Sequence, residues 1–196
     1  MVPHRTLTTF SLPRFDDILD EPFRERFGLN RARQYGVACR DVRAEFQAAE
    51  KLGAGPFFAA SIPAPNWIEH GERRRCRLEF ALGYIDEAQL EFLGPGHGTG
   101  FYSDALQGRE RVLHHVGVFQ NNASELEKRL NRAGFDTVVD GGVSLGNSVG
   151  FRFKYFDTRR AIGCYLELLD FYFFDRPISL EKPVKLLAGL RKRMAG

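Results

Sequence analysis

Apolar positions fill Leu113-His114-His115-Val116-Gly117-Val118-Phe119, which reads as a buried strand carrying histidine. An earlier stretch, Gln34-Tyr35-Gly36-Val37-Ala38, follows the same pattern. Gln34 stands where His115 does, Gly36 where Gly117 does, and Val37 where Val118 does. Further on, Gly53 answers Gly134. A second pair repeats at a slightly different spacing: Leu90-Glu91-Phe92-Leu93 against Leu166-Glu167-Leu168-Leu169. One half of the chain therefore reads as a diverged copy of the other. Each half places two metal-capable residues on apolar strands, Gln34 with Glu91 and His115 with Glu167. A pseudo-twofold arrangement of the halves predicts all four in one cavity. Side chains alternate across a strand, so His114 and His115 are expected on opposite faces. His115 is the one that aligns with Gln34.

The pattern predicts an α+β fold of two βαβββ modules, at about 33–95 and 112–172, within a domain spanning 31–172. The first module opens with a strand over 34–39. Asp41 stands at an N-cap position, where its carboxylate accepts orphan backbone N–H groups. A helix over 42–52 follows, and Gly53 ends it. Strands are expected over 56–62, 76–85 and 88–93, with a Pro-, Gly- and charge-rich loop over 63–75 and a turn at Asp86-Glu87. The Gly-rich 94–100 stretch reads as a connector; it lacks the Lys-Ser/Thr ending of a phosphate loop. A short helix plus turn is expected over 101–111. The second module gives a strand over 113–119, a helix over 123–133 capped by Asn122 with Glu125, and strands over 136–143, 150–156 and 164–169. Gly141, Gly142, Gly146 and Asn147 mark a turn, and 157–160 another. An arm over 1–30, broken by Pro13 and Pro22 with a short helix near Asp16, packs on the domain or on a second subunit. A basic tail over 173–196 ends in an amphipathic helix around 184–194.

Composition narrows the function. The chain has 196 residues and a net charge of +3, too little to argue for nucleic acid. Its basic clusters, Arg73-Arg74-Arg75 and the tail, lack the aromatic interleaving of a single-strand binder. Three separated cysteines, Cys39, Cys76 and Cys164, form no CxxC pair and suit a reducing compartment. No secretory signal or spanning stretch is visible, so a cytoplasmic location is expected and no membrane partner. The 18 Phe residues read as core, with Phe57, Phe80, Phe151 and Phe153 as candidates for a pocket wall.

These positions together resemble the vicinal oxygen chelate superfamily, the glyoxalase I and methylmalonyl-CoA epimerase group with the glyoxalase/bleomycin-resistance fold. The resemblance covers roughly 32–172. The segment from Gln34 to Asp41 is similar to the family's first strand, and Ala88-Gln89-Leu90-Glu91-Phe92-Leu93 to its fourth. Leu113-His114-His115-Val116-Gly117-Val118 is the most specific match. Tyr155-Phe156-Asp157-Thr158 and Tyr165-Leu166-Glu167-Leu168-Leu169 are similar to the last two strands. The resemblance implies that Gln34, Glu91, His115 and Glu167 hold one divalent ion, drawn from Zn, Ni, Co, Mn, Fe or Mg. It further implies a homodimer and a small carbonyl or acyl-CoA substrate. Gln first and Glu second is nearer the glyoxalase I set than the epimerase set. Gln34 stands where ring-cleaving dioxygenases of the family carry a histidine, which argues against that branch.

Two carboxylates, one imidazole and one amide make a mixed N/O site for a borderline or hard ion. The chemistry this favours is proton abstraction beside a carbonyl, by a lyase, isomerase or epimerase with Glu167 and Glu91 as catalytic carboxylates on opposite faces. A different class of function, sequestering a small molecule without turnover as resistance proteins do, uses the same cleft but has no need of metal ligands.

Overall fold

A computed structural model describes residues 5–6, 12–120, 123–145, 149–173 and 176–177. The capping Asn122, the turn residues Gly146 and Asn147 and the tail helix expected around 184–194 lie outside the described residues. After the short strand β1 (Arg5–Thr6), the arm holds two helices, α1 (Phe15–Ile18) and α2 (Glu21–Phe27). Pro22 does not break the second. It sits in the first turn, where no N–H is required, and Asp20 caps that turn by accepting from Phe23 N at 2.9 Å. The arm packs on its own domain: Ile18, Leu19 and Phe27 are buried in the main core, and Phe23 and Phe27 meet the Phe135 ring.

The first module runs β2 (Gln34–Cys39), α3 (Val42–Lys51), β3 (Phe58–Glu69), β4 (Glu72–Ile85) and β5 (Ala88–Leu93). Asp41 caps α3 through Ala44 N at 2.9 Å, a contact worth about 1 kcal/mol. The loop expected over 63–75 is instead the body of a long hairpin turned at His70 and Gly71, both at positive φ. Pro63 and Pro65 are tolerated because that length of β3 pairs with β4 alone and needs no donor on its outer edge. Helix α4 (Phe101–Leu106) joins the modules.

The second module repeats the order with β6 (Arg111–Phe119), α5 (Ala123–Arg132), β7 (Thr137–Leu145), β8 (Val149–Phe156) and β9 (Tyr165–Phe173). A four-residue helix, α6 (Arg159–Ile162), occupies the expected turn before β9, and β10 (Arg176–Pro177) pairs with β9. Gly141 and Gly142 belong to β7 rather than to a turn. A Cβ on Gly141 would lie 2.4 Å from the Phe153 ring, so that glycine makes room for the ring.

The strands close on themselves in the order β6-β2-β5-β4-β3-β7-β8-β9, and β9 returns to β6. The modules meet at two seams. One is antiparallel β2 against β6. The other is narrow, joining Asn66–Glu69 of β3 to Val139–Gly142 of β7. Beyond it, Phe58–Ala64 pairs with β4 alone among the described residues. An eight-stranded barrel has an interior just wide enough for side chains or one small ligand. Two cores follow. Helices α3 and α5 and the arm cover an outer apolar core with Phe46, Phe57, Phe92 and Leu126. The inner core holds Trp67, Phe101, Tyr102, Phe153 and Tyr155, with α4 supplying two of these rings. Phe57 therefore packs outside the barrel, while Phe80, Phe151 and Phe153 wall the interior.

Candidate metal centre

Strand register places the four polar residues in two neighbouring rows. Glu91 on β5 lies beside Gly36 on β2, which lies opposite His115 on β6. One pleat along, Gln34 on β2 lies opposite Gly117 on β6, which lies beside Glu167 on β9. The rows are related by the duplication, and each has a glycine between its two functional side chains. The glycines are required by space. A Cβ on Gly36 would sit 1.8 Å from the His115 ring, and one on Gly117 would sit 2.2 Å from Gln34 Oε1. Each half thus leaves a gap into which the other half's side chain folds. The modules pair within one chain, so all four residues come from a single subunit.

His115 is the hub. Its Nε2 lies 3.1 Å from Glu167 Oε2 and 3.4 Å from Glu91 Oε2, and ligand atoms of the three residues fall within 4.8 Å of one another. Burial alone would push the imidazole pKa down, but the two carboxylates outweigh it and raise the value to about 9. Burial also raises the Glu91 pKa against the pull of His115, with help from the Glu167 charge. His115 Nε2, Glu167 Oε2 and Gln34 Oε1 are each buried without an aligned hydrogen bond. Buried polar atoms in native proteins nearly always have partners, so several orphans aimed at one place need an explanation. One imidazole nitrogen flanked by two carboxylates, with ligand atoms this close together, is an arrangement that a bound cation would hold. One N and several O donors, two of them anionic, match a borderline or hard divalent ion.

The amide of Gln34 is oriented from behind. Its Nε2 donates to Gln89 Oε1 at 2.9 Å, and Gln89 Nε2 donates to the Tyr84 hydroxyl at 3.1 Å. That relay turns the oxygen of Gln34 toward the centre, the kind of outer support that fixes a ligand's donor atom. Gln89 was not singled out in the sequence; its place two residues before Glu91 on β5 is the signal that could have found it.

The expectation that His114 and His115 face opposite ways does not hold. Gly36 pairs with His115 but Val37 pairs with Leu113, so His114 is the extra residue of a β-bulge. A bulge interrupts the alternation and lets both rings reach the interior. His114 Nδ1 lies 3.2 Å from His115 Nδ1, and its ring packs among Phe101, Tyr102 and Tyr165.

The centre opens on a cavity of about 50 Å³. Gln34, Gln89, Glu91 and Glu167 form its polar side, and Leu82, Phe151 and Phe153 are part of an apolar one. Tyr102 and Tyr155 also line it, their hydroxyls 3.3 Å apart. Burial first, and then the nearby carboxylates, hold both phenols well above their usual pKa, so both remain neutral donors. Tyr155 alternates onto the same face of β8 as Phe151 and Phe153, and that face is the interior one. The three cysteines are buried and form no disulfide among the described residues. His97 stands apart from the centre; its backbone bridges to Arg77.

No family model matches the chain, and no curated protein matches it in sequence. Solved structures show a distant likeness. Methylmalonyl-CoA epimerase from Mycobacterium tuberculosis is 16% identical with a TM-score of 0.47, over 70% of this chain and 85% of that one. A hypothetical protein from Bacillus halodurans C-125 is 14% identical with a TM-score of 0.48, over 77% and 97%. A mutant 4-hydroxymandelate synthase from Streptomyces coelicolor is 10% identical with a TM-score of 0.48, over 83% and 54%.

Proposed function

We propose that this chain is a metal-dependent enzyme of glyoxalase or epimerase type, which removes a proton next to a carbonyl held at the Gln34–Glu91–His115–Glu167 centre. The observation that carries the reading is the grouping of Glu91, His115 and Glu167, with ligand atoms within 4.8 Å of one another and Gln34 in the same cavity wall. Those residues and Glu91 would hold one divalent ion. When bound, such an ion polarises a carbonyl and stabilises the negative charge that develops on its oxygen.

The remaining work falls to the chain. Two carboxylates stand on either side of His115, Glu91 on β5 and Glu167 on β9. Glu167 takes the proton, and Glu91 on the other side returns one, which suits epimerisation or a hydrogen shift between adjacent carbons. Tyr102 and Tyr155, held neutral, offer O–H donors to a substrate oxygen. The apolar wall keeps bulk water from the carbanion. Gln34, Glu91, His115, Glu167, Tyr102 and Tyr155 all come from one chain.

The test combines metal content with proton exchange. Protein reconstituted with each candidate ion is expected to retain about one ion per chain by elemental analysis. It is then expected to wash deuterium from solvent into the α-carbon of propioin, a neutral hydroxyketone. Glu167→Gln should slow the wash-in by about a hundredfold or more, the range for loss of a positioned base. Undiminished exchange in that variant would remove Glu167 from the role. A chain that takes up none of the ions would return the cleft to the metal-free binding class.

A further inference from the structure

His114 stands behind His115, the histidine of the metal centre proposed above, and its role rests on that reading. Both rings are fully buried, with their Nδ1 atoms 3.2 Å apart. The other nitrogen of His115, Nε2, faces Glu167 at 3.1 Å and Glu91 at 3.4 Å. The two nitrogens of that ring therefore have separate duties. A neutral imidazole carries one N–H and one lone pair. A lone pair on Nε2 for an ion leaves the proton on Nδ1, where an acceptor must meet it. His114 Nδ1 then presents its own lone pair, which puts the His114 proton on its Nε2.

The surroundings hold that acceptor in place. The β-bulge admits the His114 ring to the interior, because Val37 pairs with Leu113 while Gly36 pairs with His115. Phe101 and Tyr102 of α4 and Tyr165 of β9 enclose it, at 4.7, 5.0 and 5.0 Å between ring centroids. A ring so enclosed has little freedom to turn its nitrogen away. Charge also favours an imidazole here. Glu91 and Glu167 already balance a divalent ion, and a third carboxylate behind His115 would be a buried charge without a counterpart. A neutral acceptor orients the ring and adds no charge. The first half of the chain has no such device. Its matching position is Arg33, which is exposed, and Gln34 is supported by Gln89 instead.

We propose that His114 is a positioning residue: its Nδ1 accepts from His115 Nδ1–H and so fixes the tautomer that aims His115 Nε2 between Glu91 and Glu167. It acts through His115.

Two measurements on the full chain test this. The first is the long-range proton–nitrogen NMR correlation spectrum of histidine-labelled protein, metal-free and Zn(II)-loaded, which tells protonated from lone-pair ring nitrogens. The expected result in both states is a proton on His115 Nδ1 and none on His114 Nδ1; a proton on His114 Nδ1 would overturn the proposal. The second is Zn(II) affinity, read by competition with a chelator. His114→Phe keeps a ring and removes the acceptor, and should weaken Zn(II) binding about ten- to a hundredfold, the range for loss of a ligand's outer partner. His114→Asn loses the ring but places an acceptor oxygen where Nδ1 stood, and should recover most of that loss. A packing role predicts the reverse order, with Phe tolerated and Asn not. That order, or full Zn(II) affinity in His114→Phe, would count against positioning. A chain that takes up no Zn(II) would tell against the metal centre alone, because the metal-free spectrum still decides where the proton lies.

Discussion

Gln34 and His115 hold equivalent places on β2 and β6, each two residues before a glycine that receives the other half's side chain. The scaffold of the two halves is the same, but the donors and their supports differ. Gln34 is a neutral amide, aimed from behind by Gln89 and Tyr84. His115 is a titratable ring, set between two carboxylates and backed by a second histidine that the bulge turns inward. The difference teaches that the spacing glycines and the carboxylates carry the geometry, while the residue at the head of each first strand sets the charge.

The largest effect should come from removing the charged head. His115→Ala leaves Glu91 and Glu167 buried with no cation between them, and breaking a buried charge cluster costs about 3–5 kcal/mol. Metal retention should be lost with it. Gln34→Ala leaves only the Gln89 amide without its partner, a cost of about 1–3 kcal/mol, and the ion should still bind, more weakly. Denaturant unfolding of the metal-free variants, with elemental analysis after reconstitution, measures both. Equal losses from the two substitutions would break the asymmetry.

A smaller effect separates the two glycines. In Gly36→Ala the new methyl would overlap the His115 ring at 1.8 Å, and that ring is fully buried with no room to retreat. Overpacking of this kind costs about 1–3 kcal/mol and should displace the imidazole enough to weaken metal binding. In Gly117→Ala the nearest atom is Gln34 Oε1 at 2.2 Å, with Gln34 Cβ and Leu169 Cδ1 next at 2.9 Å, a looser contact than the 1.8 Å at Gly36. The loss should be smaller, with the ion retained. The reverse order, read from thermal midpoints and metal titration, would mean that the amide is the rigid partner.

Much of this pairing was legible in the sequence because alternation and duplication survive divergence. Gln34, Glu91, His115 and Glu167 were found by aligning one half on the other, and the helices after β2 and β6 by their caps and closing glycines. What escaped was whatever interrupts a local pattern for a non-local reason. Pro63 and Pro65 read as a loop because proline withholds a donor, and only the barrel's closure shows that this edge asks for none. The His70-Gly71 turn carried the signal of a two-residue hairpin, but the charged run beside it masked the strand. Gly141 reads as part of a turn because the Phe153 ring that needs its space comes from the next strand. The bulge at His114 depends on register against β2, which one strand's alternation does not contain.

The finest distinction concerns protons. In the metal-free chain His115 has its pKa raised from 6.5 to about 9, by carboxylates that outweigh its burial. A group whose folded pKa lies above its unfolded value stabilises the fold fully below the unfolded value, and that contribution is lost as pH rises through the folded one. The thermal midpoint of metal-free protein should therefore fall between about pH 6.5 and 9, and His115→Gln should flatten the fall within that window. Glu91, also raised, acts with the same sign but from above 4.5, and because His115 pulls its pKa down, His115→Gln lets that carboxyl rise further. Metal-loaded protein should behave in the opposite sense, because a cation must displace the proton on Nε2 and binds better as pH rises. Gln34 takes no part in this exchange. Gln34→Ala should lower both curves while leaving their slopes unchanged, so a change of slope in that variant would show that the two halves share the proton.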